Sequence, residues 1–229
     1  MTSTDMLGLT RLLQLASPTL PVGAYSYSGG LESAIEDGIV TDVRTTEAWI
    51  RDVLDFSLGS FEVPLLFRMM EALAANDYAR LSKWNTLFRS GRETAELRTE
   101  TLQMGHALVT LLKDLPFCSA DEIAKLHGIG PLTYPSVYAF AAHHMRVERE
   151  PALVGYLWSW LENQVMAALK AVPLGQSAGQ RMLAGIGADL PAIAQRAIQL
   201  EDDELTNFSP GLAIASSRHE TQYSRLFRS

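Results

Sequence analysis

The sequence predicts an all-α fold, and three observations carry the prediction. Apolar residues recur at spacings of three and four along nearly the whole chain, and no segment alternates polar with apolar long enough to make a strand. Capping residues, prolines and glycines punctuate the chain at intervals suited to helices. The connections between them are short, which points to a single-domain bundle of roughly ten helices spanning residues 1–229, mostly antiparallel. An irregular loop rich in glycine and proline interrupts the pattern near the N-terminus.

Taken in order, Asp5 is a candidate cap for a first short helix bearing Leu9, Leu12 and Leu13. Pro18 then forces the preceding residue out of helical geometry. Residues 17–30 hold two prolines and three glycines and should form the irregular loop. Thr45 or Thr46 can cap a helix through Trp49, Val53 and Leu54. A further helix should begin near Pro64, a good first-turn residue, and carry Leu65, Leu66, Met69, Met70 and Leu73. Asp77 suits the cap of the next, whose Leu81, Trp84, Leu87 and Phe88 share one side. Beyond Gly91, residues 92–113 repeat Leu97, Thr101, Met104, Leu108 and Leu111. Ser119 with Glu122 has capping-box spacing and starts a brief helix ending before Gly128. After the break at Gly128 to Pro131, residues 135–145 read as a buried helix and residues 151–172 as a long apolar one, ended by Pro173 and Gly175. Shorter helices should cover residues 176–186, 191–200 and the stretch from about Gly211 onward.

Composition excludes several classes of function. Hydrophobic residues make up 47% of the 229 and charged residues 20%, enough for a core without covalent staples. The formal charge of −7, from 19 basic and 26 acidic side chains, leaves no broad basic field for nucleic acid. Cys118 is the single cysteine, so neither an internal disulfide nor a cysteine-rich zinc site can form. The first residues lack the basic region of a secretory signal, and no apolar run is long enough to span a bilayer. Together these favour the cytoplasm.

A catalytic constellation does not emerge. The histidines are His106, His127, His143, His144 and His219, and none pairs across a helical turn with a glutamate between. His143 and His144 are adjacent and point about 100 degrees apart on a helix. A helical di-metal site would need Glu-x-x-His pairs. The residues three before His106, His143 and His144 are instead Gln103, Phe140 and Ala141. Gly185-Ile186-Gly187 lacks the strand and third glycine of a dinucleotide site, and there is no Walker loop. The expectation is therefore no catalytic residue, no metal ligand and no tightly bound cofactor.

Two stretches carry more than a core needs. In residues 20–32, Tyr25 and Tyr27 offer broad faces with polar tips beside glycines 23, 29 and 30, a combination common at interfaces. A plain helix connection covering the core is the competing explanation. The final residues Tyr223, Arg225, Leu226, Phe227 and Arg228 are the aromatic and arginine types that make binding hot spots. A docked terminal segment or a disordered tail competes with that reading. The expectation is that residues 223–229 are mobile in the free chain and that the bundle closes its core without them.

At these stretches the sequence resembles the UreF family of urease accessory proteins. Residues 12–32 follow the family's opening motif, Leu-Leu-Gln-Leu-Ala-Ser through Leu-Pro-Val-Gly to Gly-Leu-Glu, and His219-Glu-Thr-Gln-Tyr-Ser-Arg-Leu-Phe-Arg-Ser229 follows its closing motif. Between them stand Arg92-Glu93-Thr94, Glu96-Leu97-Arg98, Gln103-Met104-Gly105 and Lys170-Ala-Val-Pro-Leu-Gly-Gln176. Ala24 and Gly29 depart from the family's usual residues, as does the helix around Val154 and Trp158, which the resemblance associates with dimerisation. The resemblance implies an all-α, non-catalytic scaffold for urease maturation, bridging UreD (also called UreH) and the GTPase UreG. In that role it would modulate GTP-dependent nickel delivery to apo-urease, with nickel as cargo and a homodimer as the working form. By position it implies partner-binding roles for Tyr25, Lys170 and Arg225. Tyr223, Leu226 and Phe227 join them as candidates from the tail's composition. Two other classes stay open on the residues alone: a helical-bundle metal enzyme using His143 and His144, and a generic structural helix module.

Overall fold

A computed structural model describes residues 3–229, with side chains from Met6 onward. The described residues contain helices and no strand. The α-helices are α1 (Ser3–Leu15), α2 (Leu31–Glu36), α3 (Val43–Val53), α4 (Val63–Ala74), α5 (Tyr78–Ser90), α6 (Ala95–Asp114), α7 (Ala120–His127), α8 (Tyr134–His144), α9 (Arg149–Ala171), α10 (Gln176–Gly187), α11 (Leu190–Gln199) and α12 (Pro210–His219). A π-helical segment, Leu54–Glu62, joins α3 to α4 without a break, and a short 3₁₀ turn, Ala24–Ser26, sits in the proline–glycine loop.

Local signals set most boundaries. Asp77 caps α5 through its carboxylate and the Arg80 N–H at 2.9 Å. Ser119 and Glu122 form the reciprocal box expected at α7. At α3 the cap is Asp42 rather than Thr45 or Thr46. Thr45 occupies the third position and bonds back to the Asp42 backbone, completing the box from the other end. No helix starts afresh at Pro64, because α3, the π segment and α4 are continuous and the proline falls in the first turn of α4. The cap expected at Asp5 falls on a side chain outside the described set.

Helix α8 is the centre. Tyr134 to Ala142 are all buried, so the helix is apolar all round, as a helix enclosed by others must be. It packs against α4 on one side and α6 on another, while α9 lies against α1, α2, α4, α10 and α11. Tyr134, Tyr138 and Tyr156 form an aromatic cluster with ring centroids 5.0 to 6.0 Å apart. One connected hydrophobic cluster, from Leu15 to Phe227, includes side chains from nearly every helix.

The close approach of α6 to the start of α8 depends on Gly105. A β-carbon there would sit 2.6 Å from the Leu132 carbonyl oxygen, a backbone atom with little room to move. Gly105→Ala should therefore destabilise the chain by roughly 1–3 kcal/mol, although alanine favours a helix by about 1 kcal/mol. A thermal melt reads the outcome. An unchanged or raised Tm would mean that the two helices do not meet as described.

Candidate functional site

The last ten residues return across α2 and α6, and a small set of buried charges holds them there. Glu32 lies in the first turn of α2 and Glu96 in the first turn of α6, positions where a helix end favours a carboxylate. His219, the last residue of α12, is fully buried between them. Its Nε2 lies 3.1 Å from Glu32 and its Nδ1 2.7 Å from Glu96. Each ring nitrogen thus has a carboxylate oxygen within hydrogen-bonding distance. The other oxygen of Glu96 accepts from Arg225 Nη1 at 2.8 Å. Glu32 then accepts the backbone N–H groups of Leu226, at 2.6 Å, and Phe227, at 3.0 Å. Two carboxylates thus face one imidazole, one guanidinium and two tail amides, which leaves few lone pairs unused.

Surrounding bonds fix this clasp in place. Gly30 opens α2 with φ at +81°, and a β-carbon there would press on the Ser216 backbone nitrogen at 3.2 Å; glycine is what lets α12 lie against α2. Thr94 and Ser216 share a hydroxyl–hydroxyl bond of 2.8 Å. The Glu220 carboxylate receives the Ala95 N–H at 2.8 Å, at the open end of α6. Further on, Arg228 N–H donates to the Ser26 carbonyl and Ser28 N–H to the Ser229 main-chain oxygen, each at 2.7 Å. The Ser229 hydroxyl donates to Glu100 at 2.8 Å. The proline–glycine loop and the tail therefore form one continuous surface.

The sequence-derived candidates fall into distinct places on it. Phe227 is buried, with Lys170 Nζ 5.6 Å from its ring centroid in cation–π range. Arg225 is partly covered by its bond to Glu96. Tyr223 and Leu226 project outward, Leu226 with 71% of its surface exposed. Tyr25 stands apart, half-buried against α9, where burial and the neighbouring Glu162 carboxylate push its phenol up to about 12. Tyr27, read with Tyr25 as an interface-type residue, is instead buried in the core and donates to Gln103 at 2.5 Å. The tail itself departs from the expectation of a mobile end over a bundle already closed. Phe227 belongs to the core cluster, and without the tail Glu32 and Glu100 would lose the donors that residues 226, 227 and 229 supply.

The residues that organise the site, Glu32, Glu96 and His219, were not singled out from the sequence. A signal was present. Glu32 ends the opening motif and His219 begins the closing one, so the two motifs meet in space through these side chains. Elsewhere, His144 Nδ1 lies 3.7 Å from Glu122, and His143 only packs edge-on against its neighbour. Among the described residues there is no group of three or more His, Cys, Asp or Glu placed to hold a metal ion. Among them, too, no helix is long and apolar enough to cross a membrane.

Comparison with known proteins gives consistent matches. The family model UreF matches residues 40–187. A urease accessory protein UreF from Azoarcus sp. (strain BH72) is 54% identical over 98% of this chain and 97% of its own length. The proteins of that name from Methylobacillus flagellatus and Janthinobacterium sp. (strain Marseille) are each 49% identical over 96% of this chain, covering 97% and 98% of their own lengths.

Glu100 gives the docked tail a pH signature. Burial raises its carboxyl from 4.5 to about 7, against the opposing pull of Arg92 and the Ser229 bond. The folded chain therefore holds this proton more tightly than the unfolded chain does. The stability so gained is complete below about pH 4.5 and is lost as pH rises through about 7. Glu100→Gln removes this slope. Compared with the parent, the variant should gain up to about 3 kcal/mol in relative stability between pH 5 and 8, as read by denaturant melts. Parallel pH profiles for the two proteins would show that Glu100 does not occupy this buried setting.

Proposed function

This chain belongs to the UreF family of urease accessory proteins, and from that premise we propose that it serves urease maturation as a scaffold with no chemistry of its own. Its partners in this proposal are UreD (UreH) and the GTPase UreG, which it bridges while modulating GTP-dependent nickel delivery to apo-urease. Nickel is cargo of the assembly rather than a resident group. A relative from Bordetella bronchiseptica is named a bifunctional urease accessory protein UreEF and matches this chain at 46% identity over 53% of its own length. Such a fusion supports a role among other maturation proteins. Dimerisation through α9, where Val154 and Trp158 are half-buried against their own core, belongs to the same proposal.

The observation that carries the reading is the shape of the clasped tail. Arg225 and Phe227 hold the segment down while Tyr223 and Leu226 point outward, so two apolar side chains are presented on a backbone that is already fixed. Binding such a surface costs little ordering entropy, and aromatic and leucine anchors of this kind supply contact area in a docking face. Lys170, over the Phe227 ring, borders that face, and Tyr25 on the loop is a second, separate contact in the same proposal. A partner would meet a prepared surface rather than a free end.

Tyr223 and Leu226 make the cleanest test, because neither side chain supports the fold. The double variant Tyr223→Ala/Leu226→Ala should melt within about 0.5 kcal/mol of the parent. It should nonetheless lose at least about 2 kcal/mol of binding in assembly with UreD and UreG, roughly thirtyfold. Arg225→Ala should weaken assembly and also lower the Tm, since Glu96 loses a partner. Size-exclusion chromatography with both partners separates these results. Normal assembly by the double variant would remove the tail from the docking surface.

A further inference from the structure

A cavity of about 70 Å³ lies inside the bundle, bounded by the π-helical segment, α6, α9 and the proline–glycine loop. Glu62, at the end of the π segment, is 5% exposed. One of its oxygens accepts the Tyr156 hydroxyl. The other, Oε2, faces Arg92 Nη1 at 3.2 Å as an ion pair, but it has no hydrogen-bond partner in the protein. Arg92 Nε is also without one. Both residues line the cavity. Oε2 thus has an ionic contact but no hydrogen bond, and Arg92 Nε has no partner, so each carries a desolvation cost that a guest can reduce.

The walls restrict what that guest can be. An anion would meet Glu62 and the nearby Glu100, and a purely donating cation would leave Arg92 Nε without an acceptor, so a neutral guest that both donates and accepts is the better match. The upward shift of Glu100 agrees with a chamber that resists further negative charge. Tyr134 and Tyr156, with rings inclined by 27° and centroids 5.6 Å apart, contribute aromatic surface to the wall, and Leu58, Leu97 and Met104 contribute apolar surface. A second cavity of about 20 Å³ shares Ala24, Tyr134, Ser159 and Asn163 with the first and extends the polar lining to Tyr25 and Glu162.

We propose that this cavity is a binding site for a small, neutral, planar molecule of the primary-amide class, its N–H donating to Glu62 Oε2 and its carbonyl accepting from Arg92 Nε. The site is independent of the docking surface and of the family's role. Few atoms are available for contact, so an amide the size of acetamide binds no tighter than roughly tens of micromolar.

The test uses the full ¹⁵N-labelled chain, titrated with acetamide into the millimolar range and followed by amide shifts. Acetone, nearly the same in shape and able to accept but not donate, is the matched probe. Acetamide should give saturable shifts confined to amides around the cavity, such as Gly29, Leu97 and Asn163, and acetone should bind at least about tenfold more weakly. Glu62→Gln should weaken acetamide by a similar factor. Leu97→Phe should block it by filling the space while keeping both charges, and it decides the matter if Glu62→Gln does not fold. Equal response to the two probes would overturn the proposal. So would a non-saturating response spread over the surface, or binding that survives in folded Leu97→Phe.

Discussion

Glu32 is the side chain on which the rest of the site depends. A carboxylate buried in a protein interior is costly unless its oxygens are met by donors. Here they are met from two directions, by His219 at the end of α12 and by the amides of Leu226 and Phe227 in the tail. The local sequence leaves the carboxylate little choice. Gly30 allows the turn into α2, and the short helix directs the next side chains inward, where Glu32 meets α12. A donor supplied by a residue nearly two hundred positions away then becomes a condition for burying it.

Consequences spread from that condition through packing. His219, held by Glu32, also engages Glu96, and Glu96 engages Arg225. The start of α6, the end of α12 and the tail are therefore one electrostatic unit, and Phe227 adds an apolar anchor beneath it. Removing one member leaves another charge buried without its partner, which costs more than the pair contributes when intact. Function on this account comes from what the clasp leaves outside. Tyr223 and Leu226 are exposed because their neighbours are held down.

Much of this architecture was legible in the residues. Asp77, Ser119 with Glu122, Gly91 and Pro173 announce helix ends through local chemistry, and those elements lie where such signals place them. The π segment is different. Residues 54–62 keep a helical apolar pattern, and nothing in that pattern marks the shift from four-residue to five-residue bonding. The short helix α2 lies just past the irregular loop of residues 17–30, in a stretch without a helix signal, since six residues are too few for periodicity to register. The site was half legible. Composition drew attention to the tail and the loop, because arginine and aromatic residues at a chain end call for an explanation. It could not show that Phe227 faces inward and Leu226 outward, which depends on Glu32 and His219 meeting across the whole length of the chain.

Hydrogen exchange of the Leu226 and Phe227 amides in the free, unliganded chain addresses the clasp most directly. If Glu32 accepts both, these amides should exchange with protection comparable to that of α12, and Glu32→Gln should lower it at both positions while leaving α8 unaffected. Exchange of Leu226 and Phe227 at the rate of an unstructured peptide in the parent protein would contradict the account, because the tail would then be free until a partner arrives.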